Sequence, residues 1–150
     1  MKEIETHGYE LASKGTRLIA TITEAIIYTL ALLIIYLLLG KSFSVFWADF
    51  NKDLAMLDVV YSLLTGLAIG AVFYPLFTGN LGHRIFNLKV ISADNGKDFK
   101  KPLRGAARES LKYVLGYVFI PVIWLLWDDK NQNLYDKITK TLVVKKGLDG

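Results

Sequence analysis

The sequence predicts an all-α integral membrane protein carrying one small β element. Two observations lead there. Windows 25–39, 59–77 and 113–127 contain no Asp, Glu, Lys or Arg, and the charges gather between and around them. Those charges are also unevenly distributed by sign, with a net +4 over 150 residues. A hydrophobic content of 53% is only slightly above that of a soluble protein. Its concentration in long charge-free runs excludes intrinsic disorder and marks membrane segments. The length fits one domain, residues 1–150, with a polar N-terminal segment 1–16, a basic loop 78–110 and a tail 128–150. The chain has no cysteine, so it has no disulfide, thiolate nucleophile or Cys-type zinc site.

Residues 1–14 are polar and read as a surface helix or loose tail. Leu18–Leu39 follows, with Glu24 as its single charge. A helix of that length reaches about 33 Å, enough for a hydrocarbon core of roughly 30 Å. Glu3, Glu5 and Glu10 precede it and no small-x-small site follows before Lys41, which predicts a retained helix, not a cleaved signal. Met56–Phe77 is a second spanning helix, with Asp58 near its start. Leu111–Trp127 is shorter, with Lys112 near its start, Pro121 inside it, and Tyr113, Tyr117, Trp124 and Trp127 along it. Proline breaks or kinks a helix, and amphipathic rings favour the membrane interface. This third segment therefore either spans, dips in and returns, or lies at the surface.

Basic residues collect on the cytoplasmic side. If all three segments cross, ten basic residues lie inside and seven outside; if only the first two cross, the division is fifteen to two. The second arrangement fits the rule better and makes the N-terminus cytoplasmic. The β pattern agrees. Asn87–Ser92 reads as a strand, Asn95-Gly96 as a hairpin turn, and the return extends to Lys101. Thr141–Lys145 is a further β-branched run. Pairing it with 87–92 requires both on one side of the membrane.

Glu24 is the leading functional candidate, because an ionisable group within a membrane segment is costly. Arg17 lies two helical turns before it on the same face, which continues through Ala20, Thr21 and Tyr28. Glu24 is either a protonatable transport site or one half of a buried ion pair with Arg17, Arg104 or Arg108. On the second helix Asp58, Tyr61, Ser62 and Thr65 share a face and, with Tyr28, outline a candidate polar path. The alternative for these residues is interhelical hydrogen bonding. Gly66 and Gly70 form G-x-x-x-G, which brings backbones together, either with helix one or with a second subunit.

Arg84, Lys89, Lys97, Lys100, Lys101, Arg104 and Arg108 make a basic surface suited to anionic lipid, with no nucleic-acid motif beside it. Asp128, Asp129 and Asp136 near Asn131 and Asn133 suggest a cation site but lack calcium-loop spacing, and the alternative is caps or ion-pair partners, Asp136 with Arg104 or Arg108. His7 and His83 have no metal or triad spacing, so no enzyme, cofactor or metal site is expected.

Several motifs in order resemble the RDD family of small bacterial membrane proteins. These are Arg17-Leu18-Ile19-Ala20 with Glu24 in place of the usual Asp, and Gly79–Arg84 with His83 where Lys is usual. Next come Asn87–Val90, then Pro102-Leu103-Arg104 with Arg108, and Asn133-Leu134-Tyr135-Asp136 with Thr139 to Val144, where Tyr135 replaces a commoner His. The resemblance covers roughly 14–145 and implies three membrane helices in the bacterial inner membrane. It also implies a suggested transport role, with proton-coupled cation exchange proposed for some members. Two or three helices cannot readily enclose a pathway, so transport would require a homo-oligomer. The alternative is a non-transporting scaffold, complex subunit or assembly factor with a basic cytoplasmic face.

Overall fold

The structure is a computed structural model that describes residues 7–52, 56–116 and 120–147. Residues 1–6 of the polar N-terminal segment and 117–119 of the third apolar segment lie outside the described residues. The fold is mostly helical with one two-stranded antiparallel sheet.

α1 spans Lys14–Leu38, four residues longer at its start than hydropathy indicates, because Ser13 caps it by accepting from the Thr16 amide at 3.1 Å. Residues 7–13 are not a surface helix. Leu11 bridges Val144, and the Ala12 amide donates to the Val143 carbonyl at 3.0 Å, so this segment edges the sheet. α2, Phe43–Phe50, fills most of the first loop. It starts at Ser42, whose hydroxyl accepts from the Val45 amide. Its Phe46 ring meets Tyr36 of α1 edge-on at 5.5 Å, while Phe43, Trp47 and Phe50 stay exposed.

α3 occupies Met56–Phe77, the predicted second span. Both α1 and α3 are long and apolar enough to cross a membrane. α3 ends where Thr78 enters the left-handed region at φ 57° while its amide donates to the Tyr74 carbonyl. Short α4, Leu81–Ile85, packs on α1: a Cβ added at Gly82 would lie 3.1 Å from Glu24 Cβ.

β1, Leu88–Ser92, pairs antiparallel with β2, Thr141–Lys145, in the register Val90 to Val143. The turn at Asn95-Gly96 is present, with Gly96 at φ 67°. The predicted return strand is reduced to one bridge, Ile91 to Asp98, because the chain leaves at Pro102 to begin α5. The sheet is apolar on both faces. Leu88, Val90 and Val143 pack on Tyr74, Ala20 and Phe99, and Ile91, Leu142 and Val144 pack beneath Tyr9 and Leu11.

α5, Pro102–Gly116, and α6, Ile120–Trp127, make up the third segment. Pro102 is the first residue of α5, where its missing amide hydrogen costs nothing. Pro121 stands in the first turn of α6. α5 runs antiparallel along α3. A Cβ at Gly66 would lie 2.6 Å from Ser110 Cα, and one at Gly70 would lie 2.6 Å from Ala106 Cα. The G-x-x-x-G pair therefore serves α3 against α5, neither helix one nor a second subunit. The end of α6 returns to the start of α1, where Lys14 Nζ donates to the Leu126 carbonyl at 2.8 Å. Both ends of the third segment thus lie at the sheet end of the bundle. α7, Leu134–Ile138, then leads into β2.

Candidate functional site

A chain of charged side chains runs through the interior where α1, α3, α5 and α7 meet. Asp136 is fully buried, and its two carboxylate oxygens take different arginines, Arg108 on Oδ1 and Arg17 on Oδ2. Oδ2 also accepts from the Asn133 amide at 2.9 Å, which fixes the first turn of α7. Burial alone would raise the Asp136 pKa, but Arg108 and Arg17 outweigh it and hold the carboxyl below its usual value. Arg17 donates further to the Asn131 carbonyl, and Asn131 in turn donates to the Ala12 carbonyl at 3.0 Å. Arg108 Nε donates to Thr141 Oγ1 at 3.2 Å, and its plane lies 5.0 Å from the Tyr135 ring.

From Arg108 the network continues to the Tyr74 hydroxyl, which donates to Glu109 Oε2 at 3.1 Å. Asn80, the cap of α4, donates to Glu109 Oε1 at 3.4 Å. Lys112 then binds both Glu109 and Glu24. Tyr28 ends the network beside Glu24, yet among the described residues neither Glu24 Oε1 nor the Tyr28 hydroxyl completes a hydrogen bond of normal geometry.

Three cations, Arg17, Arg108 and Lys112, thus meet three carboxylates, Glu24, Glu109 and Asp136, all at most 12% exposed. Buried charges survive when paired and hydrogen-bonded, and removing one partner of such a pair costs about 3–5 kcal/mol. The network ties α1, α3, α5, α7 and β2 into one arrangement.

Of the candidates from sequence, Arg17, Glu24, Arg108 and Asp136 come together. Arg104 does not: it is exposed on the outer side of α5. Glu24 pairs with Lys112, not with any of the three arginines considered for it. Tyr28 reaches the network, but the rest of the candidate polar path does not form. Tyr61 is 65% exposed, Thr65 is exposed, and Asp58 lies 3.5 Å from Lys52. Ser62 is half-buried on the same helix. Gly66 and Gly70 face α5, while Tyr61 and Thr65 turn outward; Ser62 shares the glycine face one turn earlier.

Tyr74, Glu109 and Lys112 are network members that sequence reasoning missed. One signal pointed to the last. Glu24 is the lone charge of the first apolar run and Lys112 that of the third, and their signs are opposite.

The other acids have structural work. Asp128 Oδ1 accepts from the Lys130 and Gln132 amides at 3.0 Å each, and its side chain pairs with Lys137. Burial opposes ionisation there, while Lys137 and the Gln132 amide lower the Asp128 pKa overall. His83 is a capping residue, with Nδ1 accepting from the Asn80 amide at 3.3 Å. Among the described residues no three acidic or histidine side chains gather to hold a metal.

The sequence model of the RDD family matches residues 11–140. No curated protein and no solved structure shows a significant match. The matched span contains every charged member of the network, from Arg17 to Asp136, and nearly all the described fold, so this chain belongs to the RDD family.

Proposed function

We propose that the protein crosses the bacterial cytoplasmic membrane twice, with a cytoplasmic N-terminus, and acts as a partner-holding subunit or assembly factor. It is non-enzymatic and does not form a conduit by itself. Several features support the membrane placement. Leu18 to Tyr36 on α1 covers about 27 Å, close to the hydrocarbon thickness. Aromatic side chains mark both limits, with exposed Trp47 on α2 at one end and exposed Trp124 and Trp127 on α6 at the other. Because α6 ends beside Lys14, the third segment reads as re-entrant, the arrangement that places fifteen basic residues inside and two outside.

One observation carries the functional reading: the polar network stops halfway. From Arg17 to Tyr28 it reaches about 16 Å along α1. Beyond it α1 presents exposed Ile34, Ile35, Leu37 and Leu38, and the start of α3 presents exposed Leu57, Val60 and Leu64. α1 packs on α2, α4 and α6 and makes at most marginal contact with α3. Among the described residues a single chain therefore offers no continuous polar route, and its buried cations and carboxylates pair with one another. What they secure is the cytoplasmic platform of sheet, α4 and α7 against the helices.

The test is flux. Wild-type protein in proteoliposomes is expected to move no Na⁺, K⁺ or H⁺ under an imposed gradient. A cation flux that depends on pH and disappears in Glu24→Gln would overturn the reading.

A second reading, proton-coupled cation exchange by a homo-oligomer, is favoured by Glu24 Oε1 and the Tyr28 hydroxyl. Both are buried at the mid-membrane end of the network without a normal hydrogen bond among the described residues. A second copy packed along α1 would extend the polar route from that point, and the same flux measurement decides between the two.

A further inference from the structure

The polar network is neutral, but a second charged cluster outside it is not. A cavity of about 210 Å³ opens at the sheet end of α3. Leu76, Phe77 and Thr78 form one wall, and Lys89, Lys100, Lys146 and Asp98 form the other. Asp98 is the single carboxylate of this lining among the described residues. It lies 3.0 Å from Lys89 and 3.8 Å from Lys100. Lys146 has no acidic partner within 4 Å among the described residues. Arg84 adds a fourth cation nearby, held over the Phe77 ring at 5.7 Å. The Lys146 pKa is lowered by burial and by repulsion from Arg84 and Lys89, as expected where positive charge is uncompensated.

The cavity is not only basic. Leu76, 66% exposed, and Val72, 54% exposed, lie one helical turn apart on the same face of α3. They lead from the cavity mouth along the apolar helix. A ligand matched to this geometry has an anionic phosphate head and a hydrocarbon tail.

We propose that this cavity binds the phosphate of an anionic phospholipid of the cytoplasmic leaflet, with Lys100 and Lys146 as its principal contacts and an acyl chain laid over Leu76 and Val72. This rests on the reading that the sheet end of α3 lies at the membrane surface. Lys89 is already committed to Asp98 and shapes the cavity floor. Lys146 is held in place by its own backbone, whose amide donates to the Asn87 carbonyl at 2.9 Å.

The experiment is native mass spectrometry of the full chain in detergent, titrated with dioleoylphosphatidylglycerol or dioleoylphosphatidylcholine, and with inorganic phosphate as competitor. Wild-type protein is expected to retain one phosphatidylglycerol at least tenfold more tightly than phosphatidylcholine. The double substitution Lys100→Gln with Lys146→Gln is expected to remove that preference. Lys97→Gln with Lys130→Gln removes the same charge from the same end but not from the cavity, and should keep it. Equal retention of the two lipids, equal loss in both double variants, or displacement by equimolar inorganic phosphate would each overturn the proposal. A thermal melt shows that each variant is folded. Binding in micelles requires neither flux nor a fixed orientation, so a negative result here leaves the subunit reading standing, and a flux result leaves this one standing.

Discussion

Glu24 of α1 and Lys112 of α5 are 88 residues apart, and the fold joins them as an ion pair with Glu109 sharing the lysine. The two partners are not equivalent, because Lys112 serves two acids and Glu24 only this one lysine among the described ion pairs. Lys112→Met strands two buried carboxylates and is expected to cost about 3–5 kcal/mol. Glu24→Gln leaves Lys112 paired with Glu109 and is expected to cost about 1.5–3 kcal/mol, the range for a charged hydrogen bond. Thermal melts of both single variants and the double in one detergent measure the coupling. A double variant no more stable than Lys112→Met would show that Glu24 draws nothing from the lysine.

Gly70 lies against the Gly105 backbone, and Gly66 against Ser110. A methyl group at either must push backbone aside, since the neighbour is not a flexible side chain. Gly70→Ala is expected to destabilise by about 1–3 kcal/mol, the usual cost of overpacking. Thr65→Val, on the exposed side of the same helix, is expected to stay within about 0.5 kcal/mol of wild type. Equal melting temperatures for the two variants would refute close α3–α5 packing.

Asp136 sets an acid limit. Its folded pKa lies below the ordinary value of 3.8, because Arg108 and Arg17 overcome the effect of burial. Its contribution is therefore complete above that value and is lost only as the pH falls below it. Asp136→Asn leaves two arginines facing an amide and is expected to cost about 3–5 kcal/mol at neutral pH. The difference in melting temperature between wild type and variant should be constant from pH 7 to 5 and shrink in stronger acid. A difference that already shrinks between pH 7 and 5 would contradict the pairing.

The cysteine-free chain allows a direct test of topology. Asp49→Cys, Lys97→Cys and Lys130→Cys place single thiols in the first loop and on either side of the third segment. A re-entrant third segment predicts that positions 97 and 130 react with an impermeant thiol reagent from the same side, and 49 from the other. Labelling of 97 and 130 from opposite sides would mean that the segment crosses.

How much of this was legible depended on what kind of signal each element left. α3 was readable to its ends because no charge interrupts Met56–Phe77 after Asp58. The β1–β2 pairing was readable from two β-branched runs and a charge count. α5 was misjudged at its start because hydropathy treats a charge as a boundary. Arg108, Glu109 and Lys112 lie inside the helix, neutralised by partners from elsewhere in the chain. α2 was hidden in a loop, though Ser42 and the spacing of Phe43, Trp47 and Phe50 marked it. Asp58, Tyr61, Ser62 and Thr65 read as one polar face, but Tyr61 and Thr65 are exposed, and the glycines were readable as packing residues without their partner, α5. Tyr74 left no signal, because a buried tyrosine that bridges Arg108 and Glu109 looks like any aromatic in an apolar run.

The bond between Arg17 and Asp136 joins residues 119 positions apart. At a synthesis rate of about 5–20 residues per second, the arginine waits roughly 6–24 s for its carboxylate. Arg108 waits for the same group, and β1 waits for β2, which follows Asp136 directly. The interior pairing and the sheet therefore close only once residues 136–145 are present. A nascent product lacking Asp136 carries two guanidinium groups and a strand without the partners they have in the folded chain.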